Sequence, residues 1–291
     1  MKPRFTTAAR RRASGAQSVF RAIAILKAFG GERSQWRLSE LADALHLNKT
    51  TAFRLLRALG DEGMIVQDEP GGAFQLGPEL IALGARALRA NHVRISSRRE
   101  LEALSAATGE TATLEVLVGH DVLILDEVQG AHLIGINPEV GMRFPAHATS
   151  TGKVLLAAAR FESHDLASTR ALEPLARFTR RTITSAPRLE RQLATVWRQG
   201  FAVAREEIEP GFIAVGAPVR DDRGRVVAAI SIGGPASRVT PPRIAELAAT
   251  VRSAASRLGG IHAPPHLEPT SVANGVAARQ RTRHAASRST R

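Results

Sequence analysis

Between Gln17 and Gly77, three stretches with helical spacing of apolar residues precede two short extended runs across the turn Glu69-Pro70-Gly71-Gly72. The first, Gln17–Phe29, places Val19, Ile23 and Leu26 at i, i+4 and i+7 and stops at Gly30-Gly31. The second starts at Ser39, a residue suited to an N-cap, and carries Leu41, Ala42 and Leu45 to His46. Asn48 caps the third, which runs to about Asp61 and ends at Gly63. Met64–Val66 and Ala73–Leu76 then read as the strands of a hairpin. Three helices closed by a hairpin in so short a span follow the order of a winged helix-turn-helix.

The third helix carries the sharpest chemical signal. At 100° per residue, Ala52, Leu55, Leu56 and Leu59 form one apolar side, and Thr50, Phe53, Arg54 and Arg57 lie opposite. Such an outward face suits a major groove: arginine takes guanine edges with two hydrogen bonds, and threonine and phenylalanine meet thymine methyls. Lys49, Thr50 and Thr51 stand at the helix N-terminus, where free amides favour phosphate. Two exposed arginines on one amphipathic helix are, by themselves, ordinarily a solvated face. The helix order, the hairpin and the adjoining basic segment Met1–Ser14 turn the reading towards DNA, with that segment free to follow phosphates or enter a minor groove.

With 291 residues the chain has room for two domains. It has no cysteine, which excludes disulfide scaffolds, zinc fingers, iron–sulfur clusters and thiol nucleophiles. The net charge of +13 is concentrated at the ends: residues 1–14 carry +5 and residues 261–291 carry +4. Charge alone is therefore weak support for a nucleic-acid partner. Both ends read as disordered tails. No apolar run approaches the ~20 residues of a membrane helix, and no signal-peptide core follows the N-terminus, so a cytoplasmic protein without a membrane partner is expected.

Beyond Gly77 a helical run, residues 78–91, reads as a linker between domains, and residues 92–260 as a second domain. Within it, helices are expected at about Ile95–Thr108, Gly152–Ala159 and Pro187–Gln199, with a last one capped by Thr240 and opened by Pro241. Strands are expected at Thr111–Val118, Val122–Val128, Leu133–Ile136, Phe201–Arg205, Phe212–Val219 and Arg225–Ile232. Without strict βαβ alternation, this is an α+β domain with a largely antiparallel sheet.

At this point the chain resembles the IclR-type bacterial transcription regulators. The resemblance runs through Gln17-Ser18-Val19, Leu38–Ala42, Leu47–Leu56, Gly63 and Phe74–Gly77 in the front half. In the rear half it runs through Pro145–Ala157, Gly211, Ala217-Pro218-Val219 and Ala228–Pro235. It implies a winged helix-turn-helix joined by a linker helix to a GAF-like α+β effector-binding domain. It also implies a homodimer or homotetramer on palindromic double-stranded promoter DNA, modulated by a small metabolite, often an organic or aromatic acid. Ser39, Asn48, Lys49, Thr50, Thr51, Phe53, Arg54 and Arg57 become the candidate DNA-contacting residues.

Ser150-Thr151-Gly152-Lys153 opens a helix with small residues, and exposed first-turn amides attract a carboxylate; an ordinary Thr-capped helix fits the same residues. It is not a Walker loop, because the earlier glycine of that motif is missing. The resemblance adds Ala204, Ala214, Ser231 and Gly233 to Ser150, Thr151 and Gly152 as candidate effector-binding residues. Some relatives carry an acid, a polar residue and a serine where Ala204, Ala214 and Gly233 stand here. A larger or less polar effector than a two-carbon oxoacid is therefore expected. Two other functions fit the residues less well. An enzyme lacks a recognisable catalytic or metal-ligand spacing: Glu206, Glu207 and Glu209 read as solvated acids and His147 as a satisfied loop residue. A winged helix for RNA or protein contact is the other reading; an RNA-binding preference would be expected to add aromatic stacking platforms, and the chain has ten Phe, two Trp and no Tyr, mostly in core-like positions. No catalytic residue, cofactor or metal is expected.

Overall fold

The computed structural model describes residues 7–30, 33–69, 72–131, 138–162 and 174–260, with side chains of the first helix from residue 16 onwards. They divide into two compact units, Met1–Ala90 and Asn91–Arg291.

In the N-terminal unit, α1 (Thr7–Ala28) is followed by α2 (Leu38–Ala44) and α3 (Lys49–Asp61). Strands β1 (Ile65–Gln67) and β2 (Phe74–Leu76) pair antiparallel, and α4 (Pro78–Ala90) closes the unit. The helix α1 starts ten residues earlier than its apolar spacing predicts. It takes in Arg10–Arg12, part of the segment expected to be disordered, because alanine and arginine are strong helix formers even without an apolar stripe. Ser39 is not an N-cap: α2 begins at Leu38, and the Glu40 carboxylate accepts the Arg37 N–H at 3.1 Å. The core joins Ile25 and Phe29 to Leu41, Leu56, Leu59, Ile65 and Phe74. Trp36 adds a bridge to Phe74 beside the hairpin, and its indole donates to the Ala28 carbonyl at 3.2 Å.

In the C-terminal unit, α5 (His92–Thr108) leads into β3 (Thr111–Val118) and β4 (Asp121–Val128). Next come β5 (Arg143–Pro145), a 3₁₀ turn at Ala146–Ala148, α6 (Ser150–Glu162), α7 (Ala186–Gln199) and β6 (Ala202–Arg205). Strands β7 (Phe212–Arg220) and β8 (Val226–Pro235) and helix α8 (Pro241–Arg257) complete it. The strands form one sheet in the order β5-β4-β3-β8-β7-β6, antiparallel at every pairing. The expected strand Leu133–Ile136 lies outside the described residues, as does the tail 261–291; the edge strand beside β4 is Arg143–Pro145. Helix α5 starts three residues before the expected Ile95, because the Asn91 side chain accepts the Arg94 N–H at 3.0 Å.

Along β3, side chains from Thr111 to Val116 alternate between two layers. One face of β3, Ala112, Leu114 and Val116, packs with β7 and β8 against α5 and α8 in the larger core. The other face carries Thr111, Thr113 and Glu115 and is covered by α6 and its approach. At one end Arg238 clamps Glu110 with two hydrogen bonds of 2.8 and 2.6 Å, tying β8 to the start of β3.

Candidate DNA-binding surface and ligand cavity

Helix α3 is built as its pattern predicts. Asn48 accepts the Thr51 N–H at 2.7 Å, and Ala52, Leu56 and Leu59 are buried with Leu55 partly so. Lys49, Thr50, Phe53, Arg54 and Arg57 are exposed, Phe53 at 49%. Among the described residues no ion pair engages Lys49, Arg54 or Arg57. Ser39 stands apart in character, half-buried in the first turn of α2. The turn between the two helices holds His46 at a φ of 53° and is closed by the Leu47 N–H on the Ala42 carbonyl at 2.8 Å. In the hairpin, Gln75 donates to Asp68 at 2.5 Å and Gln67 to the Gly72 carbonyl at 3.1 Å, so polar side chains brace the wing.

The C-terminal unit contains a cavity of about 590 Å³, counting its mouth, between the sheet and the start of α6. Strand register builds its floor: Ala204 stands opposite Ala214, Ala214 opposite Gly233, and Ser231 opposite Thr113. Six of the seven candidate effector residues, Ser150, Thr151, Ala204, Ala214, Ser231 and Gly233, line this one space. Gly152 does not. A side chain there would run into the backbone of Ala146, so its role is to let the 3₁₀ turn pass close beneath α6. At Gly233 a Cβ would come within 2.5 Å of the Phe212 ring, which lies over the glycine and forms part of the lining.

Two acids that sequence reasoning did not select complete the lining. Glu115 is 6% exposed and accepts hydrogen bonds from the Thr113 hydroxyl at 2.8 Å and the Thr151 hydroxyl at 2.5 Å. Ser231 joins through Thr113 at 2.8 Å. Burial pushes the Glu115 carboxyl above its ordinary range, against the pull of the two hydroxyls. Glu207, expected to be solvated, is instead buried and paired with Lys153, whose side chain is wholly enclosed. Burial lowers the Lys153 pKa, with Glu207 opposing the shift. The second Glu207 oxygen has no hydrogen-bond partner among the described residues. Hydroxyls of Thr179 and Thr182 hold the backbone of this loop, donating to the carbonyls of Glu206 at 2.7 Å and Glu207 at 2.6 Å. His147 is buried, and its Nε2 lies 2.9 Å from the Ala176 carbonyl, a satisfied loop residue as read.

The first turn of α6 closes partly on itself: the Gly152 N–H donates to Thr149 Oγ1 at 3.1 Å and the Lys153 N–H to the Thr149 carbonyl at 3.1 Å. Among the described residues no group of three or more His, Cys, Asp or Glu is arranged to hold a metal ion, and no helix is long and apolar enough to cross a membrane.

The profile of the IclR helix-turn-helix domain matches residues 18–69, and that of the bacterial transcriptional regulator IclR C-terminal domain matches residues 85–259. The chain belongs to the IclR family of transcriptional regulators. Within that family it is 35% identical over 243 residues to the glycerol operon regulatory protein of Streptomyces griseus, covering 82% of this chain and 94% of that one. The crystal structure of an IclR transcriptional regulator from Alicyclobacillus acidocaldarius superposes with a TM-score of 0.71 at 30% identity, covering 83% and 96% of the two chains. An IclR homologue from Microbacterium hydrocarbonoxydans, complexed with 4-hydroxybenzoate, superposes with a TM-score of 0.66 at 26% identity, covering 83% and 100%.

Proposed function

We propose that this IclR-family regulator binds double-stranded promoter DNA through α3 and that a small organic acid in the C-terminal cavity modulates this binding. The observation that carries the DNA reading is the division of α3 into a buried apolar side and an exposed side with three cations that no ion pair engages among the described residues. In this reading Arg54 and Arg57 take bases or phosphates, Lys49, Thr50, Thr51 and Phe53 supply the rest of the surface, and Asn48 fixes the helix start. Ser39 contributes from α2. The protein acts in the cytoplasm without catalysis, cofactor or metal.

The cavity suits an effector larger than a two-carbon oxoacid. Its floor carries Ala204, Ala214 and Gly233, where an oxoacid would need polar partners. The Ser150 and Thr151 amides, at the helix start beside it, suit a carboxylate. The 4-hydroxybenzoate held by the Microbacterium homologue is of the expected size and class. A thermal-shift comparison in which glyoxylate or pyruvate stabilises far better than aromatic acids overturns this part of the reading.

A homodimer or homotetramer is the assembly that the family resemblance implies, and exposed apolar side chains of the N-terminal unit are candidates for its interface. Phe20 is 67% exposed and Ile81 76%, and a second copy packed on either would bury apolar surface.

The deciding experiment selects genomic fragments with the purified protein and with Arg54→Ala at moderate salt. A shared palindromic motif that the variant loses supports the proposal. Equal, salt-sensitive recovery of all fragments by both proteins overturns it, leaving phosphate attraction alone.

A further inference from the structure

The described lining of the cavity contains two titratable side chains, both acids, and no Lys, Arg or His. Their situations differ. Glu207 faces an enclosed cation, Lys153, and its charge is compensated there. Glu115 faces only hydroxyls. Thr113 and Thr151 each meet one Glu115 oxygen, and Thr113 lies 2.8 Å from Ser231, a pair in which either hydroxyl can donate, so the hydroxyls can reverse when Glu115 carries a proton.

The neighbours of Glu115 offer it no counter-charge. The sheet places Ile124 on one side and Ala229 on the other, both uncharged. From α6, Thr151 donates a hydroxyl, and Lys153 is engaged by Glu207. Glu207 lines the same cavity, but its charge is met by Lys153 and it brings no cation to Glu115. His147 is turned to the Ala176 carbonyl. A charged carboxylate in this position would have to be carried by hydroxyl dipoles alone, and an anionic ligand beside it would add a like charge in a space with little water. A neutral carboxyl has the opposite effect, because it brings a proton that a ligand oxygen can accept.

We propose that Glu115 determines which effectors the cavity accepts, presenting its own carboxyl proton to an oxygen acceptor on the ligand, so that an anionic effector binds only together with that proton. The proposal rests on the reading of the cavity as an acid-binding effector site and deepens it. Affinity for an acid then falls as pH rises through the Glu115 titration, towards about tenfold per pH unit once the free protein has lost the proton. A neutral ligand of the same shape, which brings no like charge, is far less sensitive. A glutamine at 115 supplies a permanent N–H donor and removes the dependence.

The test is isothermal titration calorimetry of the full-length protein with 4-hydroxybenzoate and with its neutral amide, between pH 6 and pH 8, in buffers of different ionisation enthalpy. The expected result is acid binding that weakens relative to amide binding as pH rises, with net proton uptake on binding wherever it weakens, and a flat profile for the amide. Glu115→Gln is expected to bind the acid at both pH values without proton uptake. Acid binding of equal strength at pH 6 and pH 8 without proton uptake overturns the proposal and leaves the acid-effector reading standing. No binding of the acid at either pH overturns both. The wild-type series alone decides between these outcomes if the variant does not fold.

Discussion

Lys153 and Glu207 pair inside the C-terminal unit across 54 residues of sequence, the lysine wholly enclosed and the glutamate 6% exposed. An ion pair of this kind is costly to break and cheap to replace, because removing one partner strands a charge that burial has already cut off from water. Lys153→Met is expected to destabilise the C-terminal unit by about 3–5 kcal/mol. Lys153→Met combined with Glu207→Leu should recover most of the loss. Urea unfolding of the two variants checks this: a double variant as unstable as the single one would mean that the pair contributes attraction beyond the cost of its own burial.

The acid on the cavity floor makes stability depend on pH in the opposite sense from a surface carboxylate. Glu115 holds its proton more tightly folded than unfolded, so its burial is tolerated fully below its ordinary pKa of 4.5. As pH rises above 4.5 towards the raised folded value, the unfolded chain releases the proton first and stability is lost. Glu115→Gln should therefore gain stability relative to wild type between pH 5 and pH 8, by about 1.4 kcal/mol for each pH unit that the folded pKa is raised. Chemical denaturation of both proteins at pH 5 and pH 8 measures it. A constant difference would place the titration elsewhere.

Gly233→Ala tests the shape of the cavity without touching a polar group. The added methyl meets the far end of the Phe212 ring, which has room to swing into the cavity. The expected outcome is a fold retained within about 1–3 kcal/mol and a clear loss of ligand-induced thermal stabilisation. An unchanged ligand response would mean that the ring is not part of the working cavity wall.

On the DNA side, Lys49→Ala should weaken binding about equally across sequences and reduce the slope of log affinity against log salt by roughly 0.9 if it neutralises one phosphate. Arg54→Ala should cost about 1–3 kcal/mol and relax preference at one base position if it reads a guanine. Anisotropy titrations over a range of salt, with duplexes altered at single positions, separate the two behaviours.

Phe20→Glu should shift the assembly towards smaller species, measured by light scattering on a sizing column. An unchanged mass would mean that the exposed ring is not between copies.

Much of the front unit was legible because its signals are local. Asn48 and the spacing of Ala52, Leu56 and Leu59 fix α3 within its own sequence, and the turn around Pro70-Gly71 announces the hairpin. Ser39 misled because a good capping residue was in view while the group that closes the turn, Glu40 on the Arg37 amide, acts from inside the helix. The cavity was legible only in part. Ala204, Ala214, Ser231 and Gly233 came from the resemblance, and only the register of β6, β7 and β8 brings them onto one floor. Glu115 left a signal that went unused: Thr111, Thr113 and Glu115 alternate with Ala112, Leu114 and Val116, which marks one polar face on a strand. Period-two polarity ordinarily faces water, and nothing in the sequence indicates that α6 lies over it. Glu207 could not have been chosen over Glu206 and Glu209, because its partner lies 54 residues away.

The alternation of β3 has a mechanical meaning. Thr111, Thr113 and Glu115 belong to the cavity and Ala112, Leu114 and Val116 to the packing beneath α5 and α8, so this stretch of the strand has one set of side chains in each of two rooms. A ligand that pushes Thr113 or Glu115 therefore moves Ala112, Leu114 and Val116 with them, since a strand transmits displacement along its whole backbone and a close-packed layer has no slack to absorb it. The layer behind the sheet includes α5, whose first residue, His92, follows the end of α4 with only Asn91 between. If a ligand fills the cavity, its occupancy is expected to be felt in α5 through a partition wall rather than through a wire.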